Sequence, residues 1–182
     1  MTSTPAAAGT EGTATGPSPR VLVGGVAQLW QGDLDLGRRA VERLAAEDLG
    51  PGVVVEDLCY GAVQVSWRLE DLAPAALVVV GATERGRTPG TVERRVVEPF
   101  EVPPAEARHA VDEALTGYLS VDLLVEVAAA FGALPAHTVV VDVEPETRYP
   151  SHDLSATCEA ALADALEVIR AEVRRHGAQA AG

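Results

Sequence analysis

Four valine-rich runs limit how this chain can fold: RVLVG at Arg20–Gly24, GVVVE at Gly52–Glu56, ALVVV at Ala76–Val80 and TVVVDV at Thr138–Val143. Short, near-continuous apolar runs of β-branched residues suit strands covered on both faces, the condition of parallel strands in α/β proteins. The intervals between them carry helical periodicity, beginning with Leu36, Ala40, Val41, Leu44 and Ala45 ahead of a Gly50–Pro51 stop. A fifth run, Thr91–Val97, has Val92, Arg94 and Val96 in a period of two and reads as a half-exposed edge strand. The expected fold is α/β: a three-layer sandwich with a mixed, mainly parallel five-stranded sheet between helices.

Further helices follow the same reasoning. One beginning at Val63 and Trp67 must end before Pro74, and a helical stretch from Ala105 to Ala130 contains a break at Thr116–Gly117. In the last helix Leu154, Cys158, Leu162, Leu166, Ile169 and Val173 form one apolar stripe, with an N-cap at Ser155 or just before it. Residues 1–19 carry Glu11 as their only charged side chain and too little apolar bulk to offset ordering entropy, which predicts a disordered tail. Residues 20–176 form the single domain, and 177–182 form a second disordered tail. The first segment has neither the basic nor the apolar region of a secretory signal, and no segment reaches 18 uncharged apolar residues; no membrane partner is expected.

The chain has 27 Asp and Glu against 14 Lys and Arg, a net charge of −13, and every one of the 14 is arginine. Without lysine there is no P-loop, no Schiff-base amine and no Ser-Lys dyad. An acidic field also repels a phosphate backbone, so nucleic acid is not an expected partner. Cys59 and Cys158 fit no C-x-x-C pattern, which favours a reducing, cytoplasmic location over a zinc ribbon or disulfide scaffold.

The G-G-V-A-Q segment after the first strand departs from the dinucleotide fingerprint, since with Gly24 as first position the third and sixth are Val26 and Leu29. His109, His137, His152 and His176 make no H-x-x-x-H pair, and no serine lies in a G-x-S-x-G elbow. Trp67 is expected in the core. Trp30 lies in a loop, as suited to anchoring a partner as to packing.

The segment VLVGGVAQLWQGDLDLGRRAVERL (21–44) resembles the opening of the hydrogenase maturation proteases, endopeptidases that trim the C-terminus of the nickel–iron hydrogenase large subunit. Leu22, Gly25, Leu29, Asp33, Gly37 and Leu44 match the family pattern LGxGNxLxxDDxxGxxxxxxL. EDLCYGAVQVSWRLEDL keeps Asp57 and Gly61 of the second-strand segment, and ALVVVGATERGRTPGTV is similar to the third strand and its turn. VVVDVEPE and DLSATCEAAL are similar to the last strand, its Glu-Pro turn and the final helix.

This resemblance implies the fold above and a part in hydrogenase maturation. It also implies a carboxylate after the first strand, an Asp ending the third and a His entering the helix before the last strand, which together hold a metal thought to be the substrate's own nickel. Leu34, Gly81 and Thr116 stand at those positions, and none can replace a carboxylate or an imidazole as a ligand. No metal site and no resident cofactor are expected. Asp33, Asp35, Glu84 and His109 are the residues that would have to rebuild a shifted site, and with Trp30 they are the candidates to face a partner or substrate. Asp33 and Asp35 equally suit a helix N-terminus, where acidic side chains favour the dipole. The function expected is that of a non-catalytic, protease-like accessory factor binding a hydrogenase large subunit or another maturation factor. An active endopeptidase and a small-ligand binder on the same fold are the alternatives.

Overall fold

The structure, a computed structural model, describes residues 20–178. Residues 1–19, read above as a tail, lie outside the described residues, as do 179–182. Five strands form one sheet: β1 (Val21–Gly25), β2 (Val53–Asp57), β3 (Ala76–Ala82), β4 (Val92–Val97) and β5 (His137–Val143). Their order is β2-β1-β3-β5-β4, with every pairing parallel except β4 against β5. The expected mixed, mainly parallel five-stranded sheet is present, with β4 at an edge.

Alternation along the strands divides the core in two. Leu22, Leu77, Val79 and Val140 face α2 (Ala62–Leu72) and α4 (Val121–Ala130), with α3 (Pro104–Ala114) contributing Ala110 to the same layer. Val21, Val23, Val78, Val80, Val141 and Val143 face α1 (Leu36–Leu44) and α5 (Ala156–Ala178). Each fully buried valine or leucine contributes roughly 1.5–3 kcal/mol relative to an exposed one. Helices on both faces explain why the strands read as unbroken valine.

Local stops fall where the residue chemistry puts them. Ala73 adopts a left-handed conformation (φ +42°) that ends α2 one residue before Pro74. The expected break at Thr116–Gly117 separates α3 from α4, and Ser120 caps α4 by accepting from the Leu123 amide. Ser155 caps α5 in the same way, its Oγ accepting from the Cys158 amide at 3.1 Å. That last helix extends to Ala178, two residues past the expected boundary.

The glycines after β1 have a packing role. A Cβ on Gly25 would overlap the Gly37 carbonyl oxygen, and one on Gly37 would overlap the Val26 carbonyl oxygen. Backbone therefore meets backbone where α1 starts beneath β1, and that contact accounts for glycines here without any phosphate.

Candidate functional site

In a sheet of this kind a crevice opens where neighbouring parallel strands send their connections in opposite directions. Here those strands are β1, which leads towards β2, and β3, which leads towards β4. A groove of about 400 Å³ lies beyond their C-terminal ends. Leu34, Ala82, Thr83 and Tyr118 line it, with Glu84, Arg85, Asp122 and Arg148 as its charged groups.

The three positions expected to have lost metal ligands behave differently. Leu34 contributes an alkyl surface to the groove. Thr116 is exposed just after α3, donating its hydroxyl to the Glu113 carbonyl at 2.7 Å, and lies outside the groove lining. Gly81 is buried and closely packed. A Cβ there would lie 2.6 Å from Val121 Cγ2 and 3.0 Å from the Val26 carbonyl oxygen. The space an aspartate would need is taken by a β-branched side chain and fixed backbone. Among the described residues no group of three or more His, Cys, Asp and Glu could hold a metal ion.

Two of the candidate partner-facing carboxylates are interior, which corrects the expectation for them. Asp33 has 0% exposure. Its Oδ2 accepts from the amides of Glu146 (3.0 Å) and Thr147 (2.9 Å), and its Oδ1 from the amide of Ser155 (2.7 Å). Burial alone would push its pKa up, but the hydrogen bonds from Ser155 and Thr147 outweigh it and hold the carboxyl below its ordinary value. Asp33 thus clasps the turn after β1 to the loop between β5 and α5. The backbone reinforces that clasp: Ser151 N donates to the Trp30 carbonyl and Gly32 N to the Ser151 carbonyl. Asp35 is buried under a two-toothed contact with Arg38, whose Nε lies 2.8 Å from Oδ1 and whose Nη2 meets Oδ2.

Glu84 does reach the groove, at its rim, where it is paired with Arg148 at 2.9 Å. His109 is exposed on α3 but does not line the groove. Trp30 is 61% exposed, its ring tilted against His152, and its backbone sits in the left-handed region at φ +61°. Nothing in the core requires an indole there, and the conformation disfavours a bulky side chain. Trp67, expected in the core, is 54% exposed on α2. Both tryptophans, all three tyrosines and both phenylalanines are at least a third exposed, so the interior is built from Val, Leu and Ala. Trp30, Tyr60, Tyr118 and Tyr149 all stand at the end of the molecule where the groove opens or in the strand exits beside it.

Beside the groove lies an ionic network that no sequence motif marks. Asp142, buried near the end of β5, accepts from the Thr83 hydroxyl at 2.9 Å and lies 3.4 Å from Arg85. Arg85 and Arg95 both reach Asp122, at 2.8 and 3.1 Å. Glu144 accepts from the amides of Arg85 and Gly86 and from Arg87 Nε. One signal was available: Asp142 is the single charge inside TVVVDV, and a charge within a doubly covered strand needs partners. Burial, with Asp57 nearby, pushes the Cys59 thiol up to about 12, which disfavours the thiolate.

The fold is α/β and matches solved structures of hydrogenase maturation proteases. The structure is similar to hydrogenase maturating endopeptidase HybD from E. coli at 26% identity and TM-score 0.65, covering 87% of this chain and 94% of that one. To a hydrogenase 2 maturation peptidase from a Thaumarchaeota archaeon the identity is 25% and the TM-score 0.59, over 82% and 95% of the two chains. The [NiFe] hydrogenase maturation protease HycI from Thermococcus kodakarensis is similar in fold alone, at 17% identity and TM-score 0.61 over 85% and 92%. No family model matches the chain, and no curated protein does. The resemblance read from the sequence is therefore shown by the structural neighbours. No helix among the described residues is long and apolar enough to cross a membrane.

Proposed function

We propose that this chain is a protease-like protein of hydrogenase maturation that binds without cutting, serving in the cytoplasm as an accessory or assembly factor for a nickel–iron hydrogenase large subunit or for another maturation factor. The observation that supports this reading is Gly81 closed in by Val121 and Val26, because the space that an aspartate would need there is filled by packing. The residues that would have to rebuild a ligand set have other work. Asp33 is saturated by backbone amides, Asp35 is held by Arg38, Glu84 is paired with Arg148, and His109 lies off the groove. Binding is supported by the exposed aromatics at the groove end, above all by Trp30, an anchor-type side chain kept in a conformation that costs stability.

The test uses a hydrogenase large-subunit precursor in a combined binding and processing assay. The precursor is expected to bind and to keep its C-terminal extension, and Trp30→Ala should weaken binding by roughly 1–3 kcal/mol with the fold intact. Cleavage by the purified protein would overturn the non-catalytic reading. Binding that is absent, or indifferent to Trp30, would overturn the choice of partner surface.

A further inference from the structure

The sheet ends on one side in β4, and among the described residues no backbone group pairs with its outer edge. In an antiparallel pair every second residue turns its N–H and C=O away from its neighbour, so β4 offers a row of open donors and acceptors. Proteins usually guard such an edge with free charge, a bulge or proline. Here the three charges on the strand are committed elsewhere: Glu93 to Arg87, Arg94 to Glu172 at 2.8 Å, and Arg95 to Asp122 at 3.1 Å. No proline lies within the strand: Pro89 precedes it, and Pro99, Pro103 and Pro104 follow it.

Beside this edge runs a second groove of about 490 Å³, separate from the one beyond β1 and β3. Its apolar surface includes Val96 and Phe100, both 46% exposed. Its charged lining is Glu98, Glu101, Glu106 and Glu126, none with a cationic partner among the described residues, and the Arg95–Asp122 pair, which leaves the groove acidic on balance. Open backbone, apolar side-chain pockets and an acidic rim call for one occupant. From this combination we infer that β4 and its groove receive an extended, cationic segment of a partner protein, which adds to the sheet as a sixth strand and alternates apolar with basic side chains.

Charge selects this occupant over the others at hand. A second copy would bring the same four carboxylates against themselves and add to a net charge of −13. Residues 1–19 carry Glu11 as their only charged side chain and supply no basic residue. The inference is independent of the groove at β1 and β3 and of any hydrogenase partner.

The experiment titrates the isotope-labelled protein with a blocked heptapeptide alternating valine and arginine, read by backbone amide shifts. Saturable shifts across residues 92–102 that weaken with salt are expected. Two control peptides, one with glutamate for arginine and one with alternate amides methylated, should bind at least about tenfold more weakly. The variant E98K/E101K changes exposed side chains, keeps its fold by circular dichroism, and should lose about tenfold in affinity for the arginine peptide. Equal binding of either control peptide, no shifts at β4, or an unchanged affinity in the variant would each overturn the proposal. Self-association through β4 in sedimentation would do so as well, by making a second copy the occupant.

Discussion

Asp33 directs its carboxylate to the chain's own backbone, accepting from three amides on segments 113 to 122 residues away. Asp33→Asn keeps the shape but faces an amide group with N–H donors, and should destabilise the fold by about 2–3 kcal/mol in denaturant titrations. Because the native carboxyl is held below its ordinary value, its contribution is complete above about pH 4 and is lost as pH falls through the folded-state value. The stability gap between the native protein and Asp33→Asn should therefore narrow with acid; a gap independent of pH would contradict the assignment. Trp30 gives the opposite sign. Trp30→Gly relieves a left-handed backbone at a position that packs little, and should leave stability unchanged or raise it by up to about 1 kcal/mol while partner binding falls. A drop in melting temperature would show that the indole supports the fold.

The contact between β3 and the start of α4 closes the position at which the resemblance implies a metal-binding aspartate. Val121 fills the volume beside Gly81, so adding even one carbon requires the helix or its side chain to move. Gly81→Ala should cost about 1–3 kcal/mol. In a Val121→Ala background the same change should cost markedly less, with a coupling of about 0.5–3 kcal/mol in a double-mutant cycle. Additive effects would mean that Val121 is not what closes the site. The clasp from the β1 exit to the β5–α5 loop works with this contact, because it fixes Leu34 at the groove while keeping Asp33 and Asp35 out of it.

Across the whole molecule, buried ionic contacts set a common response to pH. Glu144 and Glu172 are, like Asp33, held below their ordinary values: burial opposes this at Glu144, where backbone amides and Arg87 prevail, and Arg94 is the main cause at Glu172. His176 is lowered instead by burial, despite Glu172, and lies against His137 with ring centroids 5.5 Å apart. A lowered histidine favours the neutral form, so its contribution is complete above about pH 6.5 and declines as pH falls from there. Thermal melts should thus show a shallow loss of stability beginning below about pH 6.5 and a steeper one below about pH 4. His176→Gln should remove the first and spare the second.

The strands, the break at Thr116–Gly117, the Ser155 cap and the edge character of β4 were legible in the chain because each follows from periodicity or from one residue's backbone preference. Those signals are local, and helices covering both faces left them undisturbed. Other properties depend on which segments the crossovers bring together. Asp33 and Asp35 had the composition of a surface helix start, yet the packing of the β1 exit against the β5–α5 loop buries both. Trp67 had the size of a core residue, yet α2 turns it outward and leaves the interior to valine and leucine. His137 and His176 looked isolated until a parallel strand and the final helix brought their rings together. The same holds for the closure of Gly81 by Val121, since 40 residues separate them and only the docking of α4 on the sheet puts one side chain in the other's place.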